Sequence, residues 1–401
     1  MQRTIYREIK ATKAVWGLAI ILGGFVAAAL ASFFYVEHYG HIVTGMTNRI
    51  VWGLPHVFAI FLIVAASGAL NVASIASVFD RQVYKPMARL SALMAMALLI
   101  GGLMILVLDL GRPDRILVAA TTYNFSSIFA WNLILYTGFL GIAGVYLFTQ
   151  MSKSVPYAIT RKVGLLAFVW RLALTTGTGS IFGWLVARPG YDAAIMAPMF
   201  IAMSFAFGLA MFLLMTKTLL RLSDRVIGDA LMHRLGRLLA VFIAAVLYFT
   251  VARHLTNLYT AEHAGFERFA LLDGGIYTTL FWGGQVLIGG LIPLAVLFHP
   301  SFGKTPKAPL VASVLVVIGG LAQVYVIVIG GQAYPMEVFP GYEITSGSGL
   351  GGIANYTPSL PELALGLGGV AVALLAVGIG TKILRILPTS LSDANVGQDP
   401  L

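Results

Sequence analysis

The chain has 401 residues, of which 59% are hydrophobic and only 10% charged, with a formal net charge of +10. Charged residues make up about a quarter of an ordinary soluble domain, so this composition excludes a soluble globular protein and points to a polytopic membrane protein. There is no cysteine, which excludes a disulfide framework and any thiolate-ligated zinc or iron–sulfur site within the chain.

A basic tail, residues 1–14, opens the sequence. Apolar runs of about 20 residues, enough to cross about 30 Å of hydrocarbon, then recur at Val15–Val36, Trp52–Val78, Ala88–Leu108, Ser127–Phe148, Val163–Ala187, Ile195–Leu219, Leu238–Tyr259, Ile276–Phe298, Leu310–Gly331 and Leu363–Ile386. A second tail, 387–401, follows. The first run is longer than the core of a cleavable signal and reads as an uncleaved span. The runs lack strand alternation, and lipid tolerates only helices or closed barrels. The expected fold is therefore all-α, with about ten transmembrane helices. Nineteen of the 26 Lys and Arg residues fall in the tails and one set of connections, and five in the other set. Positive charge stays on the cytoplasmic side, which predicts cytoplasmic N- and C-termini. The net charge is thereby explained by topology, without a nucleic-acid partner.

Taken in order, the first span is poor in polar residues and reads as peripheral. The loop after it carries His38 and His41, read as solvated, and no metal site is expected. The second span opens W-G-L-P-H. Trp52 suits a membrane interface, Pro55 suits a first helical turn, and His56 falls about one turn below the surface. Ser67, Asn71 and Ser74 share its helical face, as interhelical glue or as a hydrated path.

The third span ends in L-D-L-G-R-P, Leu108–Pro113. A carboxylate at the edge of hydrocarbon is costly unless hydrated, paired or protonated. One reading is a helix end with a local ion pair of Asp109 and Arg112. The other follows from the short connection between spans two and three, which brings Asp109 to the depth of His56, as an acid/base couple. Tyr123–Ser127 is an irregular re-entry into the fourth span. Arg171 in the fifth span is free to snorkel or to pair inside the bundle. The seventh span holds Arg253, His254 and Asn257, and an intramembrane arginine is a candidate functional group or a fastening between halves of the bundle. The eighth has Gln285 and a Gly289–Pro293 break. A Gly- and Pro-rich segment, 332–362, precedes the last span, and its length suits partner docking or roofing a pocket.

W-G-x-P at Trp52–Pro55, D-L-G-R-P at Asp109–Pro113 and N-x-S-S at Asn124–Ser127 together resemble the NrfD/PsrC family of membrane quinone-interacting subunits. The ten-span length resembles its HybB-like branch. The tail I-G-G-Q-A-Y-P…F-P-G-Y-E…Y-T-P-S-L-P-E, Ile329–Glu362, resembles the DsrP subfamily of sulfur-metabolism complexes. The resemblance implies two four-helix bundles, 52–148 and 163–331, with an extra helix at either side. It implies a bound menaquinone or ubiquinone near the outer face and no haem or iron–sulfur cluster in this chain. An extracytoplasmic ferredoxin-like iron–sulfur subunit would dock over the D-L-G-R-P loop, with cytochrome and disulfide-reductase-like subunits nearby, in a bacterial or archaeal cytoplasmic membrane. By position, Trp52, His56, Asp109 and Arg112 belong to the outer pocket, with Tyr123, Arg253, His254 and Asn257 as further quinone-binding candidates. His56 and Asp109 are the expected proton-handling pair. Asn257 and Gln285 stand where relatives carry acids; both departures remove carboxylates and speak against proton pumping through the second bundle, while leaving quinone binding open. Three other classes remain open: a haem-b cytochrome ligated by His56 and His254, a solute transporter built around Arg171 and Arg253, and a purely structural anchor.

Overall fold

A computed structural model describes residues 4–336 and 352–392. Ten long helices run through them: α1 (Lys13–Tyr39), α2 (Leu54–Ser77), α3 (Gln82–Leu108), α4 (Ile128–Met151), α5 (Tyr157–Ile181), α6 (Met196–Leu222), α7 (Asp229–Tyr259), α8 (Ile276–Phe298), α9 (Ala308–Ala333) and α10 (Leu360–Ile383). Nine of these described helices are long and apolar enough to cross a membrane. The other, α5, has the length at 25 residues but carries Arg161, Lys162 and Arg171.

The tails decide how α5 counts. Tyr6–Arg7 (β1) pairs antiparallel with Leu387–Pro388 (β2), and the Arg225 guanidinium donates to the carbonyls of Glu8, Leu387 and Pro388 at 2.9–3.2 Å. Both ends of the chain therefore meet on one side, which requires an even number of crossings. The protein is a multi-pass all-α membrane protein. Helix limits depart from the apolar runs where charge begins: α7 starts at Asp229 rather than Leu238, because the helix continues past the hydrocarbon through His233, Arg234 and Arg237.

Helices α2–α5 form one four-helix bundle and α6–α9 a second, joined mainly where α2 meets α6. Gly68 and Gly208 make that junction close: a Cβ on Gly68 would lie 1.6 Å from the Ser204 carbonyl oxygen. Small residues let membrane helices approach and gain packing. The flanking helices are not placed one at either side. α1 packs on α10, and α10 packs on α3 and α2, so both lie against the first bundle. Gly366 and Gly369 explain this, since they seat α10 directly on Phe58 and Ile105. α1 leaves Trp16, Ile20 and Phe34 largely exposed, as expected of a peripheral helix.

Arg171 is fully buried. It faces into the junction, with the Ser67 carbonyl at 3.4 Å and the rings of Phe168 and Phe205 at 4.8 and 5.1 Å. Ser67 donates to the α5 backbone and lies 2.7 Å from Thr175, while Ser74 turns back onto its own helix. The polar face of α2 is interhelical glue here. The Gly-rich stretch of α8 widens into π-helical turns over Leu280–Leu291, which hand back to α-helix at Ile292, one residue before Pro293. A proline has no N–H to give, so the change of winding ends where the ladder is already short of a donor.

Candidate functional site

The site is built where α3 ends. The Asp109 amide still bonds to Ile105, but Gly111 adopts φ +62° and Pro113 opens a new short turn. The chain leaves the helix axis and Asp109 stays behind at its lip. α2 begins at the same end with Gly53 as cap and Pro55 in the first turn, so His56 faces the lip from the neighbouring helix. His56 Nδ1 lies 3.2 Å from Asp109 Oδ2. The Asp109 side chain is 1% exposed and that of His56 19%. A buried carboxylate of this kind is retained only with compensation. Burial pushes the Asp109 carboxyl up, and the imidazoles of His41 and His56 outweigh that and hold it below the usual carboxylate range.

The second imidazole corrects the sequence reading. His41 is not simply solvated: its Nε2 lies 3.3 Å from the Asp109 carbonyl oxygen and 3.8 Å from Oδ1. The Asp109 carboxylate in turn keeps His41 protonated to a higher pH than an ordinary imidazole. Gly111 makes room for this, because a Cβ there would sit 3.0 Å from His41 Cε1. The local ion pair of the sequence reading is also replaced. Arg112 pairs with Asp114 at 3.0 Å, both exposed, and does not hold Asp109.

Trp52 roofs the pair. Its ring is stacked on Tyr191 at 6.1 Å, meets Phe182 and Phe129 edge-on at 5.8 and 5.9 Å, and lies 6.4 Å from His56. The result is a flat aromatic shelf beside an acid/base pair. Gln332, at the end of α9, fixes it: Oε1 accepts from the amides of Val51 and Trp52 at 2.9 and 3.0 Å, and Nε2 donates to the Trp52 carbonyl at 3.0 Å. Arg188 adds bonds to the carbonyls of Gln332 and Arg49. On the other flank, Tyr356 accepts from the Leu54 amide and donates to Glu362, which also accepts from the Gly45 amide. The described part of the 332–362 segment thus clamps the loop that carries Trp52. Residues 337–351, which include the F-P-G-Y-E part of the motif, lie outside the described residues. Tyr123 stacks on Phe125 at the surface, 37% exposed, away from the shelf.

Arg253, His254 and Asn257 form a separate cluster in the second bundle. The acid missing at Asn257 is supplied from elsewhere by Glu267, which returns to α7 from the short helix Ala264–Arg268. Its oxygens meet His254 Nδ1 at 2.5 Å and Asn257 Nδ2 at 2.8 Å, and it is 0% exposed. Arg253 donates to the Gly190 carbonyl at 2.9 Å. Gln285 donates to Thr250 at 3.1 Å and, with Gln323, lines a cavity of about 10 Å³, the size of one water.

Against known families, residues 42–336 match the model described as polysulphide reductase, NrfD. The chain belongs to the NrfD family. Among curated relatives, this NrfD chain is 29% identical to an Hdr-like menaquinol oxidoreductase integral membrane subunit of Archaeoglobus fulgidus, over 93% of the chain and 94% of the relative. It is 28% identical to a putative dimethyl sulfoxide reductase membrane subunit of Halobacterium salinarum, over 92% and 90%. It is 23% identical to a polysulfide reductase component of Wolinella succinogenes, over 72% and 96%. The NrfD match spans both bundles and stops short of α1, His41, Tyr356 and Glu362. One imidazole near Asp109 and one side of the clamp thus lie outside the matched stretch, as do α1 and α10.

Proposed function

We propose that this chain is the quinone-reactive membrane subunit of a multi-subunit redox complex, passing electrons between the quinone pool and an iron–sulfur subunit docked at the Asp109 face. The observation that carries the reading is the buried His56–Asp109 pair beside the Trp52 shelf, at the end of two membrane helices. A quinol is a flat ring that gives up two electrons and two protons. It needs an apolar slot, an aromatic face and a base within hydrogen-bond reach. His56 takes a headgroup proton at Nε2 while Asp109 steadies the imidazolium through Nδ1. The charge split along the chain supports an outer position for this face and cytoplasmic tails, and we take the membrane to be a bacterial or archaeal cytoplasmic membrane.

The relatives support the same role: a menaquinol oxidoreductase, a putative dimethyl sulfoxide reductase and a polysulfide reductase each has a component similar to this protein. We take menaquinone as the quinone, and sulfur metabolism of the DsrP type, with cytochrome and disulfide-reductase-like partners, as the setting. Exposed Arg112 positions a loop of the cluster-bearing subunit. The test is the complex purified in mild detergent and assayed with a short-chain menaquinol. His56→Ala and Asp109→Asn should remove quinol-linked turnover while all subunits still copurify. Wild-type rates in both variants would sink the reading.

A further inference from the structure

The mechanism above leaves a proton on His56, held against a carboxylate that is 1% exposed. That proton must leave before the site can act again. Among the described residues the rim offers an exit in the His41 imidazole, 36% exposed, on the loop beyond α1. We propose that His41 is the outlet of a three-member relay, His56–Asp109–His41, which carries each headgroup proton from the slot to bulk water. The proposal rests on the quinol reading of the site and extends it.

The step balances as follows. A quinol O–H bond breaks as its electrons leave for the partner's iron–sulfur cluster, and the proton bonds to His56 Nε2. The His56 Nδ1 proton passes to Asp109 Oδ2, 3.2 Å away. The protonated carboxyl then turns about its Cβ–Cγ bond, which carries the new O–H to the side that Oδ1 holds at rest. Oδ1 is the oxygen turned toward His41 Nε2. At 3.8 Å this last gap is longer than a hydrogen bond, and the same Nε2 rests 3.3 Å from the Asp109 carbonyl oxygen. At the carbonyl Nε2 carries a proton, so the transfer takes exchange of that proton through water to Nδ1, within reach of the exposed ring, and a small swing of the imidazole from carbonyl to carboxyl, where the bare Nε2 accepts. Gly111 leaves the ring that freedom. His41 then loses a proton from Nδ1 to water. Quinone formation from one quinol runs the relay twice and consumes no further reactant.

Three features separate this from a merely structural histidine. His41 meets the oxygen that His56 does not, so the pair brackets the carboxylate. It is the more exposed imidazole of the two. Glu37 in the last turn of α1 acts on it electrostatically along with Asp109, so both carboxylates near the ring favour a passing positive charge. Arg112 also feels Glu37 but is committed to Asp114.

The experiment uses the intact complex, a short-chain menaquinol and a pH series, with wild type, His41→Ala and His41→Gln. The relay predicts a fall in kcat of about 10-fold or more with KM within about twofold, loss of the pH limb that His41 deprotonation gives the wild type, and recovery of the rate of His41→Ala on adding free imidazole. The glutamine variant fills the same space without titrating, and should behave like the alanine variant even where alanine weakens the loop. Wild-type kcat in either variant overturns the relay. So does a loss that imidazole does not restore and that leaves the pH profile unchanged. The two readings fail differently. If His56→Ala and Asp109→Asn also turn over quinol normally, the site itself is wrong. If they are inactive while the His41 variants are normal, the site stands and the outlet is elsewhere.

Discussion

The two bundles each bring an imidazole against a carboxylate through Nδ1, yet the two pairs are built to opposite ends. In the second bundle both Glu267 oxygens have a donor, from His254 at 2.5 Å and Asn257 at 2.8 Å, and the acid is wholly buried. At the rim of the first bundle, neither Asp109 carboxylate oxygen has a hydrogen-bond donor of good geometry among the described residues. It is attended by two imidazoles at 3.2 and 3.8 Å, one of them partly in solvent. A fully satisfied buried network rigidifies the structure around it, whereas a partly satisfied one is poised to change state. On the proposed reading of the site, holding falls to Glu267 and proton exchange to Asp109, although the two are chemically alike.

The sharpest way to break that assignment is to remove each acid in turn. Asp109→Asn should lower quinol turnover by about 100-fold or more, the scale of a lost acid/base group, with little change in thermal midpoint in detergent. Glu267→Ala should do the reverse. It strands His254 and Arg253 without their carboxylate, and breaking a buried pair costs about 3–5 kcal/mol, so folded yield and midpoint should drop while the surviving complex keeps turning over. A stable but inactive Glu267→Ala complex beside an unstable Asp109→Asn would invert the comparison.

The Trp52 clamp gives the next largest effect. Gln332→Ala leaves the amides of Val51 and Trp52 without their acceptor, at about 1–3 kcal/mol for each buried group left unsatisfied. Because Trp52 forms the shelf and not the base, the expected signature is a KM raised several-fold with kcat much less changed. Equal loss in both parameters would mean that the shelf takes part in the chemistry.

What could be read in advance follows from distance along the chain. His56 and Asp109 lie on helices joined by a short connection, so their ends had to share a depth, and the apolar periods located those ends well. His41 was out of reach of such reasoning. It sits in a polar loop 68 residues from Asp109, and its only sequence trace is the glycine of D-L-G-R-P, which clears a space for a side chain the motif does not name. Glu267 was hidden for a related reason. The acid expected on the face of α7 at Asn257 is supplied 10 residues later, after the chain has reversed, and helical spacing says nothing across a reversal. The tail motif was visible, but two of its polar residues, Gln332 and Glu362, serve backbone amides of the loop before α2. A motif records that residues matter and leaves open what they touch.

The smallest effect concerns pH and tests the open character of the rim directly. His41 binds its proton more tightly in the folded protein than an ordinary imidazole does, because Asp109 lies beside it. A group whose pKa is raised on folding gives its full stabilisation below its unfolded value, about 6.5 for histidine, and loses it as the pH climbs through the raised value. Asp109, held below the usual carboxylate range, stays ionised throughout that window. The difference in thermal midpoint between wild type and His41→Gln should therefore be greatest on the acid side of neutrality and vanish in alkaline buffer. The effect should be modest, since an ion pair this exposed is screened by solvent and salt, and raising the ionic strength should shrink it further. A pH-independent difference would mean that His41 only fills space at the loop, and the rim would then be as closed as the cluster around Glu267.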